Sequence, residues 1–241
     1  MMSIIIKAKK VLTLLLLGAI CTGMFFGKQS VKECDAYTDN DTVIALDAGH
    51  YFSEPGKRSP YDSFWNRQKR EIQYNIDMVR RVEAKINEKR PDIKIFLTNP
   101  DGVDTTRGQR AVRAKRANVD ILISLHMNAI GDVWQDDIKG TCICINKHSE
   151  IGVKKMAQKF VDNYSKDTGI KKVCDNGIYE RGAEVGILDK ATKLNMPAIL
   201  IEMDFMDNYE VYRNFGDNDY LDMVADSIAN NIIQAVNDGG Y

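Results

Sequence analysis

Short apolar runs alternate with longer stretches of helical periodicity along most of this chain. The strand-like runs cover residues 43–47, 93–98, 119–125, 141–145 and 198–202. Apolar positions recur at three- and four-residue spacing near residues 71–90, 106–117, 149–166 and 219–236. Alternation of strands and helices is typical of an α/β fold. We therefore predict a single α/β domain with a largely parallel, twisted sheet flanked by helices.

The amino-terminal segment has a basic stretch followed by an apolar run. Three lysines precede the run from Val11 to Phe26. This order is typical of a secretory signal, but the run approaches the length of a membrane span and no clear small-residue cleavage site follows it. We predict a signal peptide or membrane anchor at 1–27, a polar linker at 28–41 and the functional domain at 42–241. The protein is then exported, to the periplasm or the cell exterior, and an anchor would add membrane association.

Charge and cysteine content narrow the class of partner. Removing residues 1–27 takes away three lysines and no acidic residue, so the formal charge changes from −1 to −4. A weakly acidic domain lacks the basic surface that nucleic acids require, so we exclude that partner. Four cysteines remain, and Cys142 and Cys144 share one face of an apolar strand. We predict that these two are buried thiols and not partners of each other, and no disulfide connectivity is readable.

Two of the apolar strands end in a histidine. VIALDAGH delivers His50 and VDILISLHMNA delivers His126, and the chain has 3 histidines in total. Open α/β sheets bind ligands outside the carboxyl ends of their strands, so both imidazoles are expected to face one crevice. Neutral imidazole is the commonest protein ligand of zinc. The pair therefore indicates a metal site.

Two glutamates complete a hydrolytic constellation. Glu71 opens the first clear helix and lies off its apolar stripe, and Glu202 ends the strand at 198–202. Two histidines and one carboxylate leave a coordination position for water, and a second carboxylate can act as its base. The chain contains neither G-x-S-x-G nor H-E-x-x-H. Serine hydrolase and thermolysin-like chemistry therefore have no motif here.

The segments around these residues resemble the zinc-dependent N-acetylmuramoyl-L-alanine amidases of the amidase-3 type. LDAGH is similar to that family's L-D-P-G-H, EIQYN to its glutamate helix, SLHMNA to its S-x-H-x-N-A, and MPAILIEMDFMDN to its P-A-x-L-x-E-x-x-F-x-x-N. The order and spacing agree over roughly Thr42 to Val236. The departures are Ala48 for proline, Tyr51 and Phe52 for glycines, and Asp204 for glycine, and all four bear on the shape of the substrate groove.

The resemblance implies a function for each candidate residue. His50, Glu71 and His126 would bind Zn²⁺ and Glu202 would be the catalytic base. Residues 42–241 would be an amidase catalytic domain that cleaves the amide bond between N-acetylmuramic acid and L-alanine in peptidoglycan, and we expect a monomer. The alternatives are a zinc peptidase that acts within the stem peptide and an exported wall-binding protein without turnover.

Several other residues have more than one interpretation. Asp47 either orients a metal ligand or caps the turn that follows it. Phe64 and Trp65 either contact substrate or anchor the loop at 51–70. That loop and the segment at 177–188 are expected to rim the groove. We predict no catalytic role for His148. The arginines at i+3 spacing are expected to form a solvated helix face, and they are Arg107, Arg110, Arg113 and Arg116.

Overall fold

The computed structural model describes residues 37, 41–182, 185–239 and 241, and this part of the chain contains six strands and six helices that mostly alternate. The strands are β1 (Val43–Ala48), β2 (Lys94–Leu97), β3 (Ile121–Asn128), β4 (Cys142–Asn146), β5 (Ile178–Arg181) and β6 (Ala198–Phe205). The helices are α1 (Glu71–Lys89), α2 (Arg107–Arg116), α3 (Ile151–Thr168), α4 (Gly186–Lys193), α5 (Tyr209–Asn214) and α6 (Asn218–Asp238).

The strands form one mixed sheet in the order β2-β1-β3-β6-β4-β5. The strands β2, β1, β3 and β6 run parallel, and β4 runs antiparallel to β6. The edge strand β5 runs parallel to β4. The carboxyl ends of the two histidine strands and of β6 therefore lie side by side, and the amino-terminal end of β4 lies next to them.

Helices cover both faces of this sheet. One face packs against α1, α3 and α6 through the aliphatic residues of the central strands, among them Ile44, Leu46, Ile123 and Ile201. The opposite face packs against α2 and α4 through a smaller cluster that includes Val43, Leu122 and Leu200. Strands buried on both faces consist of nearly continuous apolar runs, which explains the pattern of β1, β3 and β6 in the sequence. Because side chains alternate, His126 and Glu202 share the face of the smaller cluster.

The α/β prediction is confirmed. Each predicted strand and helix corresponds to an observed element whose bounds differ by at most a few residues. Three short elements, β5, α4 and α5, were not predicted.

The predicted export segment at 1–27 lies outside the described residues, as do all residues of the linker except Tyr37 and Asp41. Within the described part of the chain, no helix combines the length and the apolar character that a membrane crossing requires.

Candidate active site

Two histidines and one carboxylate from separate elements meet at one edge of the sheet. His50 follows β1, His126 lies near the end of β3, and Glu71 is the first residue of α1. Glu71 Oε1 lies 2.8 Å from His126 Nδ1, and Glu71 Oε2 lies 3.2 Å from His50 Nε2. One potential ligand atom from each residue lies within 4.8 Å of the others. The structure thus brings together the three residues that the sequence singled out as metal ligands.

Two glycines provide the space that this cluster occupies. A Cβ atom on Gly49 would lie 2.2 Å from the His126 ring, and one on Gly56 would lie 2.3 Å from Glu71 Oε2. Gly56 also has a φ of 76°, which favours glycine. Any larger residue at either position would displace a side chain of the cluster.

The loop before α1 fixes the position of Glu71. Glu71 N donates to the carbonyl oxygen of Lys57, and Lys57 N donates to Glu71 Oε2, both at 2.9 Å. Burial alone would raise the pKa of Glu71, but the hydrogen bonds and charges of His126 and His50 outweigh it and hold this pKa well below its usual range. The carboxylate is therefore ionised at neutral pH, the state that binds cations.

His126 supplies the observation that best tests whether a metal fits this cluster. Its Nε2 is buried and has no hydrogen-bond partner among the described residues, while its Nδ1 faces Glu71. Buried polar atoms are nearly always paired, so an imidazole nitrogen of this kind indicates a partner from outside the protein. Two imidazoles and a carboxylate are also the donor set of one class of hydrolytic zinc site. The residues fit a divalent metal ion.

Glu202 lies beside the cluster on the neighbouring strand. It pairs in register with His126 across β3 and β6, and its Oε2 is buried without a partner among the described residues. Burial raises the pKa of Glu202 to about 7; the charge of His126 opposes this rise and the charge of Glu71 adds to it. A carboxyl group with this pKa can take up and release a proton near neutral pH, as a general base must.

Asp47 and Arg110 form a buried ion pair behind His50. Arg110 Nε donates to Asp47 Oδ1 at 2.7 Å, and the two side chains are 1% and 0% exposed. The hydroxyl groups of Ser124 and Thr98 donate to the same carboxylate. Arg110 also donates to the carbonyl oxygen of His50 at 3.3 Å. Asp47 therefore acts on His50 through Arg110, which favours its orienting role over the capping role.

The buried position of Arg110 corrects the prediction of a solvated arginine face on α2. The other three arginines of that stripe are exposed. Arg110 instead packs on the side of the helix that carries Ala111 and Ala114, both of which are fully buried. The spacing of these alanines marks the inward side of α2, and this signal in the sequence could have identified Arg110.

Two asparagines hold the backbone around His50. Asn75 Nδ2 donates to the carbonyl oxygen of Gly49 at 3.0 Å, and Asn99 Nδ2 donates to that of His50 at 2.9 Å. His50 has a φ of 71°, a left-handed conformation that is strained outside glycine. Asn75 lies one helical turn after Glu71 in the EIQYN segment. Its hydrogen bond to the backbone beside His50 gives this residue of the motif a structural role. Nothing in the sequence pointed to Asn99.

A cleft of about 530 Å³ opens over the sheet face that carries His126 and Glu202. Both predicted rim segments contribute to its lining. The loop after β1 provides Tyr51, Glu54, Gly56 and Lys57. The later segment provides Tyr179, Arg181, Val185, Gly186 and Ile187.

The aromatic pair in the loop at 51–70 does not line the cleft, so its predicted role as a substrate contact is not supported by where these residues lie. Phe64 is 75% exposed and Trp65 is 53% exposed, and neither is among the described residues that line the cleft. They contact each other edge to face. Asp204 is also outside the cleft, since it is 3% exposed and its Oδ1 accepts a hydrogen bond from Gly140 N at 2.7 Å. Its charge therefore does not reshape the groove.

Three thiols line the cleft next to Glu202. Cys142 and Cys144 are buried and unpaired on β4, as predicted, and Cys174 is exposed. Cys142 pairs in register with Glu202 across β4 and β6. The hydrogen bond with Cys144, followed by burial, raises the pKa of the Cys142 thiol well above its usual range. This part of the cleft wall is therefore uncharged at Cys142.

Comparison with known proteins now assigns the chain to a family. The sequence profile of Amidase_3, the N-acetylmuramoyl-L-alanine amidases, matches residues 44–234. The chain belongs to this family. The match confirms the resemblance that was drawn from the four motifs. The matched range includes His50, Glu71, His126 and Glu202.

Individual relatives are distant in sequence and close in fold. The N-acetylmuramoyl-L-alanine amidase AmiC of Escherichia coli O6:H1 is 24% identical over 222 residues, which cover 79% of this chain and 52% of that protein. The chain thus spans about half the length of this curated relative. An amidase structure from Clostridium difficile 630 has a TM-score of 0.70 at 23% identity and covers 83% of this chain and 100% of its own.

A second solved structure supports the same architecture. The catalytic domain of CwlV, an amidase from Bacillus (Paenibacillus) polymyxa var. colistinus, has a TM-score of 0.67 at 24% identity. The match covers 81% of this chain and 98% of that domain. These structures share the single α/β domain described above.

Proposed function

We propose that this amidase-family protein is a zinc-dependent peptidoglycan hydrolase that cleaves the amide bond between the lactyl carboxyl group of N-acetylmuramic acid and L-alanine. One observation carries the proposal. The cluster of His50, Glu71 and His126 lies next to Glu202 in an open cleft, within the part of the chain that matches the amidase profile.

Each residue of the site has a defined task in this reaction. His50, Glu71 and His126 would hold the zinc ion, which when bound would polarise the substrate carbonyl and lower the pKa of the attacking water. Glu202 accepts a proton from that water and passes it to the nitrogen of L-alanine. A carbon–oxygen bond forms as the carbon–nitrogen bond breaks, so the products are a muramic acid carboxyl group and a free amine.

The residues around the site keep its donors in place during this proton transfer. Arg110 and Asn99 both donate to the carbonyl oxygen of His50, which stops the strained turn from relaxing. Lys57 N donates a hydrogen bond to Glu71 Oε2 and so holds this oxygen in place. Preorganised donors lower the energy needed to reorganise the site during the reaction.

The wider organisation of the protein is proposed on the same basis. Residues 1–27 would direct export, residues 28–41 would link this segment to the amidase domain, and the domain at 42–241 would act on peptidoglycan as a monomer in the periplasm or at the cell wall. The basic stretch and apolar run at the amino terminus support this division.

Product analysis tests the proposed reaction. Purified peptidoglycan is digested with the full chain loaded with zinc, and the soluble products are identified by mass spectrometry. The proposal predicts free stem peptides that begin with L-alanine, and their release should stop in the presence of a chelator and resume when zinc is added. Sugar-linked, shortened peptides would instead indicate a zinc peptidase, and the absence of any product would indicate a binding protein.

A further inference from the structure

Three thiols that the proposed mechanism does not use lie together on one wall of the cleft. Cys142 and Cys144 project from the same face of β4, and Cys174 lies in the turn between α3 and β5. All three line the cleft, and each is a free thiol in the structure. Two of them are buried, whereas Cys174 is exposed. A reagent in solution therefore reaches this group of thiols through Cys174.

Backbone hydrogen bonds place Cys174 next to Cys142. Thr141 N donates to the carbonyl oxygen of Lys171 at 2.8 Å, and Val173 N donates to the carbonyl oxygen of Thr141 at 2.9 Å. Cys142 and Cys174 are the residues that follow Thr141 and Val173, so this pairing brings them side by side. Their thiol groups also interact through a hydrogen bond. The two sulfur atoms are therefore neighbours that no covalent bond joins.

The geometry of β4 disfavours a bond between Cys142 and Cys144. Along an extended strand, Cα atoms two residues apart are separated by about 6.7 Å, and their side chains point in the same direction. A disulfide accepts Cα atoms up to about 6.8 Å apart and needs Cβ atoms that approach to about 4 Å. Parallel side chains on one strand do not approach each other in this way. In the described part of the chain, Cys174 is therefore the favoured partner of Cys142.

The turn around Cys174 has a fixed shape. Cys174 has a φ of 62°, a left-handed conformation that cysteine seldom adopts. Two hydrogen bonds close the turn: Gly177 N donates to the carbonyl oxygen of Val173 at 3.0 Å, and Ile178 N donates to that of Asp175 at 2.9 Å. A strained conformation persists only where the surrounding structure determines it. The fold therefore holds Cys174 against the cleft wall at an energetic cost.

We propose that Cys142 and Cys174 are a redox-active pair that closes to a disulfide bond by exchange with a low-molecular-weight disulfide. The Cys174 thiolate attacks one sulfur of that compound, which leaves a mixed disulfide on Cys174 and releases one small thiolate. Cys142 then attacks the Cys174 sulfur, loses its proton and displaces the second small thiolate. The protein gives up two thiol protons and two electrons, and the external disulfide is reduced to two thiols.

The environment of Cys142 sets the order of these two steps. Its hydrogen bond with Cys144, followed by burial, raises the pKa of Cys142 well above its usual range. The thiolate is the attacking species in thiol–disulfide exchange, so a buried and protonated Cys142 reacts second and more slowly. The mixed disulfide on Cys174 should therefore accumulate before the bond to Cys142 forms.

The disulfide would stabilise the wall of the cleft beside Glu202. It joins the two ends of a chain segment that contains α3, and such a link restricts the unfolded chain. It also fastens the turn of Cys174 to β4, where Cys142 pairs in register with Glu202. We expect the oxidised protein to melt at a temperature about 5 to 15 °C higher than the reduced protein. The inference goes beyond the proposed function, since it uses no step of the hydrolysis.

Peptide mapping after oxidation tests the pair. The full chain is reduced, freed of reductant, incubated with oxidised glutathione, alkylated and digested without reduction, and the peptides are identified by mass spectrometry. We expect the Cys142 and Cys174 peptides to be joined. Cys142→Ala should stop at a mixed disulfide between Cys174 and glutathione. Cys174→Ser should give neither this mixed disulfide nor the joined peptides.

Two controls keep the test independent of damage to the fold. Cys144→Ala removes the other buried thiol of β4 and should leave the link between Cys142 and Cys174 intact. Cys174→Ser changes an exposed side chain, so it should stay folded, and its melting temperature should be the same with and without oxidised glutathione. In the parent protein, the rise in melting temperature on oxidation should disappear when a reductant is added.

Four results would overturn the proposal. They are a link from Cys142 to Cys144, a link from Cys174 to Cys34, mixed disulfides alone in the parent protein after long incubation, and a link between Cys142 and Cys174 that does not raise the melting temperature. None of these measurements depends on hydrolysis of peptidoglycan. Failure of the proposed function would therefore leave this test intact.

Discussion

Replacing Arg110 with alanine removes the cation that forms an ion pair with the fully buried carboxylate of Asp47. Arg110 Nε donates to Asp47, and Arg110 Nη1 donates to the carbonyl oxygens of Thr105 and His50. In the alanine variant, Asp47 keeps only its two hydroxyl donors, from Ser124 and Thr98. The charge of Asp47 then remains in the protein interior without an ion-pair partner among the residues that the structure describes.

The expected cost of this change is large. Removing one partner of a buried ion pair lowers the free energy of unfolding by about 3 to 5 kcal/mol. For a domain of this size, about 1 kcal/mol corresponds to roughly 2 to 4 °C, so the melting temperature should fall by about 10 °C. The backbone of His50 also loses a donor, so the affinity for zinc should fall by about 10- to 100-fold, as for other residues that support a metal ligand.

Urea denaturation of the full chain, monitored by circular dichroism, measures the change in the free energy of unfolding. Competition with a chelator measures the change in zinc affinity. Arg113→Ala is the matched control, since Arg113 lies one turn further along the same helix and is exposed. A double-mutant cycle with Asp47→Ala should give a coupling energy above about 2 kcal/mol. If Arg110→Ala unfolds within about 1 kcal/mol of Arg113→Ala, the buried pair does not support the site as argued.

Three further substitutions test separate parts of the account. His126→Ala should lose most of its zinc in elemental analysis, whereas the exposed His148 can be replaced by alanine without loss; equal zinc in both variants would remove His126 from the ligand set. Glu202→Gln should keep zinc and the melting temperature while hydrolysis falls by about 10²-fold or more, and digestion at the parent rate would contradict its role as the base. Burial raises the pKa of Asp204 from 3.8 to about 6. Above that pH the buried charge lowers the free energy of unfolding by up to about 3 kcal/mol, and below about pH 4 it lowers it by nothing. Asp204→Asn should therefore stabilise the protein in urea denaturation at pH 8, with a gain that shrinks toward pH 4, and a gain independent of pH would refute this cause.

The main features of the fold could be predicted because buried strands and amphipathic helices leave strong local patterns. The runs that became β1, β3 and β6 are apolar over nearly their full length, and α1 and α6 carry regular buried stripes. The missed strand β5 has the sequence IYER over four half-buried or exposed positions. A strand this short and polar shows no clear period, so only its pairing with β4 reveals it.

The candidate ligands and the base could be predicted from the sequence, but the residues that hold them in place could not. His50 follows β1, and His126 and Glu202 lie near the carboxyl ends of β3 and β6. Sequence alone connects such positions with ligand binding in α/β sheets. The contact between Asp47 and Arg110 joins residues 63 positions apart and depends on how α2 packs over the sheet. The spacing of the arginines on α2 predicted that all four are exposed to solvent. Packing of the helix against the sheet buries Arg110 and leaves the other three exposed.

Aromatic residues in the loop at 51–70 show a second limit of sequence reasoning. Phe64 and Trp65 are large and apolar, and both expected uses placed them against another surface. In the structure they contact each other and remain largely exposed. The residue type shows that burial of these side chains would be favourable, but it does not show whether the fold provides a surface against which they can be buried.

The position of the oxygen taken from water tests the central claim most directly. Peptidoglycan is digested by the zinc-loaded full chain in water labelled with heavy oxygen, and the fragments are weighed by mass spectrometry. The account predicts one labelled oxygen in the lactyl carboxyl group of the muramic acid products and an unlabelled peptide that begins with L-alanine. Label in a carboxyl group of the stem peptide, with L-alanine still attached to the sugar, would contradict it.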